Sequence, residues 1–178
     1  PELFEFYRSL GVNVKQVYGM TESSALICIQ KDGDVKLDTV GTPLTDVHVR
    51  IADSGEVLYS SPGVFLGYYK NPEATRKVLS PDGWLRTGDL GFLDSEGFLY
   101  VTGRLKDVII LGGENVIPAD IEEIVDHVPG VRYSAAVGVE SERTGTQRLH
   151  VVAEVRDDGL TPADLSRIAH DVTQAVRQ

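Results

Sequence analysis

Three short stretches of this chain gather residue types that handle hydroxyls, phosphates and hard cations. In Gln16-Val17-Tyr18-Gly19-Met20-Thr21-Glu22 a hydroxyl stands beside a carboxylate, directly after a strand-like run. Such a pair can touch a phosphate and hold Mg²⁺, which prefers oxygen ligands, and Gly19 lets the backbone come close to a flat ligand. In Asp82-Gly83-Trp84-Leu85-Arg86-Thr87-Gly88-Asp89-Leu90 the carboxylate of Asp89 ends a short strand and can accept both hydroxyls of a ribose. In Gly103-Arg104-Leu105-Lys106-Asp107 the fork of Arg104 suits ribose or phosphate oxygens. Lys106-Asp107 is polar where a continuing strand would be apolar, as at an exposed pivot between two bodies. Gly112-Gly113 follows, able to adopt positive φ, with Glu114 next to it. Each stretch also has a plainer reading: a turn with a capping Thr, an Asx-capped β-turn, and a hairpin with a surface ion pair.

The elements that must position these residues fall into two styles. Leu3, Phe6, Tyr7 and Leu10 recur at helical spacing and Gly11 stops that helix. Val12, Val14 and Val17 then read as a buried strand. From about 40 to 103 the pattern is β: Val47, Val49 and Ile51 alternate, Asp53-Ser54-Gly55 turns, and Glu56 to Ser60 returns. A second hairpin pairs Phe92-Leu93 with Phe98 to Val101. One helix lies between them, with Asn71 as N-cap and Pro72 at its first position. After Arg104 the pattern turns mixed. Ile121, Ile124, Val125 and Val128 form a helical stripe opened by Pro118 and closed by Pro129-Gly130. Val131, Tyr133, Ala135, Val137 and Val139 alternate as a strand, as do Leu149, Val151, Ala153 and Val155. A last helix begins at Thr161, boxed with Asp164, and carries Leu165, Ile168, Ala169, Val172 and Val176. The expected fold class is therefore mixed α+β and α/β, a β-rich barrel-like body followed by a small β-α-β-β-α unit.

Composition narrows the classes. The chain has 178 residues, 42% hydrophobic and 25% charged, with a formal net charge of −10. That charge argues against a general nucleic-acid or anionic-membrane surface. Cys28 is the single cysteine, in the apolar run Ala25 to Ile29, so an internal disulfide is impossible and a buried, inert thiol is expected. The four histidines are scattered without metal-ligand spacing. No apolar run approaches a membrane span and no signal peptide is visible, so the expected location is cytoplasmic.

The three stretches come in one order, and together they resemble the AMP-forming acyl-CoA synthetases of the adenylate-forming superfamily, which also includes luciferases and peptide-synthetase adenylation domains. The strings that carry the resemblance are Tyr-Gly-Met-Thr-Glu at 18–22, Trp-Leu-Arg-Thr-Gly-Asp at 84–89, Gly-Arg-Leu-Lys-Asp at 103–107 and the linking Val64 to Thr75. Nearly the whole chain is covered. The resemblance implies that residues 1–103 end a large AMP-binding domain, with its β-barrel subdomain at about 40–103. It makes 104–107 a hinge and 108–178 a truncated small C-terminal domain. It further implies an enzyme that adenylates a carboxylic acid, here a fatty acid, with ATP and passes the acyl group to coenzyme A.

By the same resemblance Tyr18, Gly19 and Met20 line the adenine and acyl site. Thr21 touches phosphate and Glu22 binds Mg²⁺. Asp89 and Arg104 hold the ribose hydroxyls, Lys106 is the pivot, and Gly112, Gly113 and Glu114 swing in for thioester formation. Two family features have no counterpart in these 178 residues: the Ser/Thr/Gly-rich phosphate loop that precedes Tyr-Gly-x-Thr-Glu, and the lysine near the family's C-terminus. The chain by itself is therefore expected to be inactive. Two alternatives stay open. One is a fatty acyl-AMP ligase serving a phosphopantetheinyl carrier protein, for which Gly145-Thr146-Gln147-Arg148-Leu149 leaves room. The other is a non-catalytic nucleotide-binding remnant.

Overall fold

A computed structural model describes residues 2–140, 146–156 and 159–177; Gly145 lies outside them. The chain divides into two compact units, residues 1–105 and 106–178.

The first unit begins with helix α1 (Glu2–Ser9), whose apolar stripe of Leu3, Phe6, Tyr7 and Leu10 is largely exposed. The expected strand after it shrinks to β1 (Val17–Tyr18), with Val12 and Val17 about half exposed. Alternating valines alone do not make a buried strand without a partner along their length. Strands β2 (Cys28–Ile29) and β3 (Thr42–Pro43) complete a three-stranded antiparallel sheet in the order β1-β2-β3. The larger sheet is an antiparallel meander of β4 (His48–Ile51), β5 (Glu56–Ser60), β6 (Leu85–Leu93) and β7 (Leu99–Arg104). Both expected hairpins are present. The sheets are joined at Leu99, whose N–H donates to Gly41 O (2.9 Å) and whose carbonyl accepts from Val40 N (3.0 Å). Ile27, Cys28, Val57, Tyr59, Leu85 and Leu99 form one buried core between them.

Helix α2 (Pro72–Val78) links β5 to β6. Asn71 Oδ1 accepts from Ala74 N at 3.0 Å, which satisfies one of the helix's free amides. Asn71→Ala is expected to cost about 1 kcal/mol. The check is a lowered urea midpoint of Trp84 fluorescence at unchanged m-value. Trp84 itself is half-buried rather than core, with the Arg50 guanidinium 4.1 Å above its ring.

The second unit opens with a hairpin of β8 (Ile109–Leu111) and β9 (Glu114–Val116). Leu111 faces Glu114 across a two-residue turn, and Gly112 and Gly113 both have positive φ (60° and 95°). A turn of that shape matches the twist of the strands and needs two residues free of a Cβ penalty. Helix α3 (Pro118–Asp126), strands β10 (Val131–Glu140) and β11 (Gln147–Val155), and helix α4 (Pro162–Ala175) follow. The capping box is formed: Asp164 N–H donates to Thr161 Oγ1 and Thr161 N–H to Asp164 Oδ2. Val125, Val128, Val131 and Ile168 form the core, with Val151, Ala153 and Val155 packed on it.

One expectation inverts in β10. Val131 pairs with Val155, but Tyr133 pairs with Glu154, so β10 carries one extra residue. A bulge of one residue sends every later side chain to the opposite face. Tyr133, Val137 and Val139 therefore face outward, and Ala136 is the buried member. Ile124 of the α3 stripe is also exposed.

Candidate functional site

Five of the candidate residues lie in one loop. Tyr18 ends β1, and Met20 leads into a single 3₁₀ turn, Thr21–Ser23. The loop is held from within. Ser23, almost fully buried, accepts from Met20 N (3.0 Å) and donates to Met20 O (2.8 Å), which also accepts from Ala25 N (3.1 Å). Ser24 and Ala25 both sit at positive φ, 57° and 92°. Such conformations cost of order 1–3 kcal/mol for a non-glycine residue and persist only where surrounding bonds over-determine them. Gly19 is required by this loop: a Cβ there would stand 1.7 Å from Ala25 O. Its close neighbour in the structure is thus the chain itself. Met20 packs against the core of the first unit, leaving Thr21 exposed and Glu22 half-exposed at the loop's tip.

Asp89 and Arg104 meet because β6 and β7 put them in register as cross-strand partners. Arg104 Nε lies 3.4 Å from Asp89 Oδ1. Tyr18, 71 positions earlier in sequence, donates its hydroxyl to Asp89 Oδ2 at 2.7 Å. Burial, more than the adjacent carboxylate, pushes the Tyr18 phenol well above its ordinary value, so it stays protonated and donates. An ionised carboxylate offers about four lone-pair sites. Tyr18 takes one of them on Oδ2, and Arg104 lies beside Oδ1 as an ion pair, so lone pairs remain for an incoming pair of hydroxyls. The Arg104–Asp89 pair adds little to stability, since the arginine side chain is mostly in solvent.

Glu22 has a partner that sequence reasoning missed. Tyr68 Oη donates to Glu22 Oε1 at 2.5 Å, and Phe65 N donates to Glu22 O at 2.9 Å. The hydrogen bond to Glu22 raises the Tyr68 phenol above its ordinary value. Tyr68 is placed by its own loop, where its N–H donates to Thr75 Oγ1 (2.9 Å) in the middle of α2. The available signal was the Val64 to Thr75 text, which marked the family without assigning a role. Among the described residues no group of three or more His, Cys, Asp or Glu is placed to hold a metal. Glu22 with Thr21 is too small a donor set for an all-protein cage. It fits a cation such as Mg²⁺ that keeps its waters and takes substrate phosphate oxygens.

The structure thus brings Tyr18, Asp89 and Arg104 together, and Glu22 with Tyr68, all within the first unit. Lys106, in the turn Leu105–Asp107, and Gly112, Gly113 and Glu114, in the β8–β9 hairpin, belong to the second. Cys28 is fully buried and burial alone pushes its thiol up to about 12, so it offers no nucleophile.

Residues 1–69 match the family model described as AMP-binding enzyme. A 2-succinylbenzoate–CoA ligase of Bacillus cereus is 41% identical over 146 residues, covering 76% of this chain and 30% of the relative. A long-chain-fatty-acid–CoA ligase of Mycobacterium bovis is 42% identical over 137 residues, covering 76% of this chain and 23% of the relative. Among solved structures, O-succinylbenzoate coenzyme A synthetase of Bacillus subtilis in complex with ATP and magnesium superposes with a TM-score of 0.75 at 32% identity. That superposition covers 94% of this chain and 36% of the other. The chain spans about a third or less of the length of the curated relatives it matches.

Proposed function

Because the chain belongs to the adenylate-forming superfamily, we propose that it is the C-terminal portion of an AMP-forming acyl-CoA synthetase acting on a fatty acid. The substrate carboxylate attacks the α-phosphorus of ATP, pyrophosphate leaves, and the thiol of coenzyme A then displaces AMP from the acyl-adenylate. Asp89 and Arg104 hold the ribose, Tyr18 borders the adenine, and Thr21 contacts phosphate. Glu22 holds Mg²⁺, which neutralises charge on the phosphates. Fixed donors and a fixed carboxylate are the groups such a reaction needs, because they require no reorganisation as charge develops. Lys106 is the pivot within a 104–107 hinge, and the Gly112-Gly113-Glu114 turn serves the thioester step.

The observation that carries this reading is the junction of Tyr18, Asp89 and Arg104 at one carboxylate. Neither a phosphate loop nor the family's C-terminal lysine is among these 178 residues. The chain alone is therefore expected to bind AMP but to show no acid-dependent ATP–pyrophosphate exchange. Exchange by the purified chain overturns the assignment of adenylation to groups outside it, and absence of AMP binding overturns the site. In the whole reading frame that contains these residues, coenzyme A is expected to accept the acyl group. Transfer to a phosphopantetheinyl carrier protein instead replaces the CoA assignment.

A further inference from the structure

We infer that Glu56 is a positioning residue for Asp89, its buried carboxylate holding the bulge in β6 from which Asp89 projects. The inference rests on the assignment of Asp89 to ribose. Glu56 is 2% exposed. A carboxylate buried to that degree is costly unless its oxygens are paired and hydrogen-bonded. Here Oε2 accepts from Arg86 Nε (2.9 Å) and Nη2 (2.8 Å), and Oε1 accepts from the backbone N–H of Gly88 (3.1 Å).

The strand register shows what those bonds replace. Leu58 pairs with Arg86, but the next pair is Glu56 with Leu90. Strand β5 advances two residues while β6 advances four, so Thr87, Gly88 and Asp89 bulge out of the ladder. The amides of Gly88 and Asp89 there bond to side chains, and a sheltered amide without a partner is expensive. Side chains supply the acceptors: Glu56 for Gly88 N–H, and Thr87 Oγ1 for Asp89 N–H (3.1 Å), with the Thr87 hydroxyl donating to Val57 O (2.7 Å). Held this way, Asp89 faces Arg104 across β7 and receives Tyr18. An apolar side chain at position 56 would join β5 to β6 equally well, yet it would leave the bulge unsupported. The carboxylate is thus explained by the bulge, and the bulge by the residue it presents. Displacements of about 1 Å at a binding group are enough to degrade such a site.

The test measures ribose recognition, which a general loss of stability does not alter selectively. AMP and 2′,3′-dideoxy-AMP are titrated by NMR into the chain and into Glu56→Gln, Thr87→Val and Asp89→Ala. The unsubstituted chain is expected to prefer AMP by about tenfold or more, as hydrogen bonds to a charged group predict. Glu56→Gln and Thr87→Val are expected to reduce that preference to within about twofold while dideoxy-AMP affinity is unchanged. An undiminished preference in Glu56→Gln overturns the inference, as does an equal loss for both ligands. If Glu56→Gln does not fold, Thr87→Val decides by the same criterion. Asp89→Ala separates the two levels. If it retains the preference, or if the unsubstituted chain shows none, the ribose assignment itself fails and the inference with it.

Discussion

Asp89→Ala is expected to weaken AMP binding by about tenfold or more in an NMR titration, to the level of 2′,3′-dideoxy-AMP. The size follows from what the carboxylate does. Its oxygens meet both Tyr18 and Arg104, and each hydrogen bond it would give a ribose hydroxyl in the proposed role is charge-assisted, worth about 1.5–3 kcal/mol. Its removal also leaves the Tyr18 hydroxyl without the acceptor it has in the structure. The substitution is therefore expected to lower unfolding stability as well, by about 1–3 kcal/mol. The two effects are read separately, one from the titration of folded protein and the other from urea melts. An affinity within threefold of the unsubstituted chain removes Asp89 from the binding site.

Leu99→Ala is expected to destabilise the first unit by about 2–5 kcal/mol. Leu99 is fully buried at the start of β7 and its peptide group bridges to Val40 and Gly41, so its side chain fills the space where the two sheets meet. Truncation leaves a cavity in the cluster it shares with Ile27, Cys28, Val57, Tyr59 and Leu85, which relaxes only partly to fill it. The single tryptophan, Trp84, lies in this unit beside the core residue Leu85 and reports the transition by fluorescence. A shift below about 1 kcal/mol contradicts the placement of Leu99 at the junction.

Features decided by neighbours in sequence were legible. The hairpins at Asp53-Ser54-Gly55 and Asp94 to Gly97, the Asn71 cap and the Thr161 box all depend on residues within a few positions of one another. The candidate site was legible through whole motifs; no periodicity signals that a tyrosine at 18 reaches a carboxylate at 89. What escaped depends on partners far away or on the ladder's irregularities. The extra residue in β10 turns Tyr133, Val137 and Val139 outward although their alternation is regular. The valines at 12 and 14 belong to no strand among the described residues. Tyr68 looked like one more aromatic in a loop until Glu22 lay beside it, and Glu56 looked like an ordinary strand residue because the bulge it supports cannot be seen from β5 alone.

The hydrogen bond between Tyr18 and Asp89 spans 71 positions of chain, whereas the contacts of β10 with β11 join neighbours across a short connection. Loop closure grows costlier with length, and folds dominated by distant pairings form more slowly than those built from local ones. The order of events follows. The β10–β11 pairing is expected to assemble early, and the distant Tyr18–Asp89 contact late. The carboxylate proposed to hold the ribose is therefore expected to be assembled late, so that AMP gains no site until the first unit is folded. Ligand present during refolding is accordingly a stabiliser of the finished unit and not a template for it.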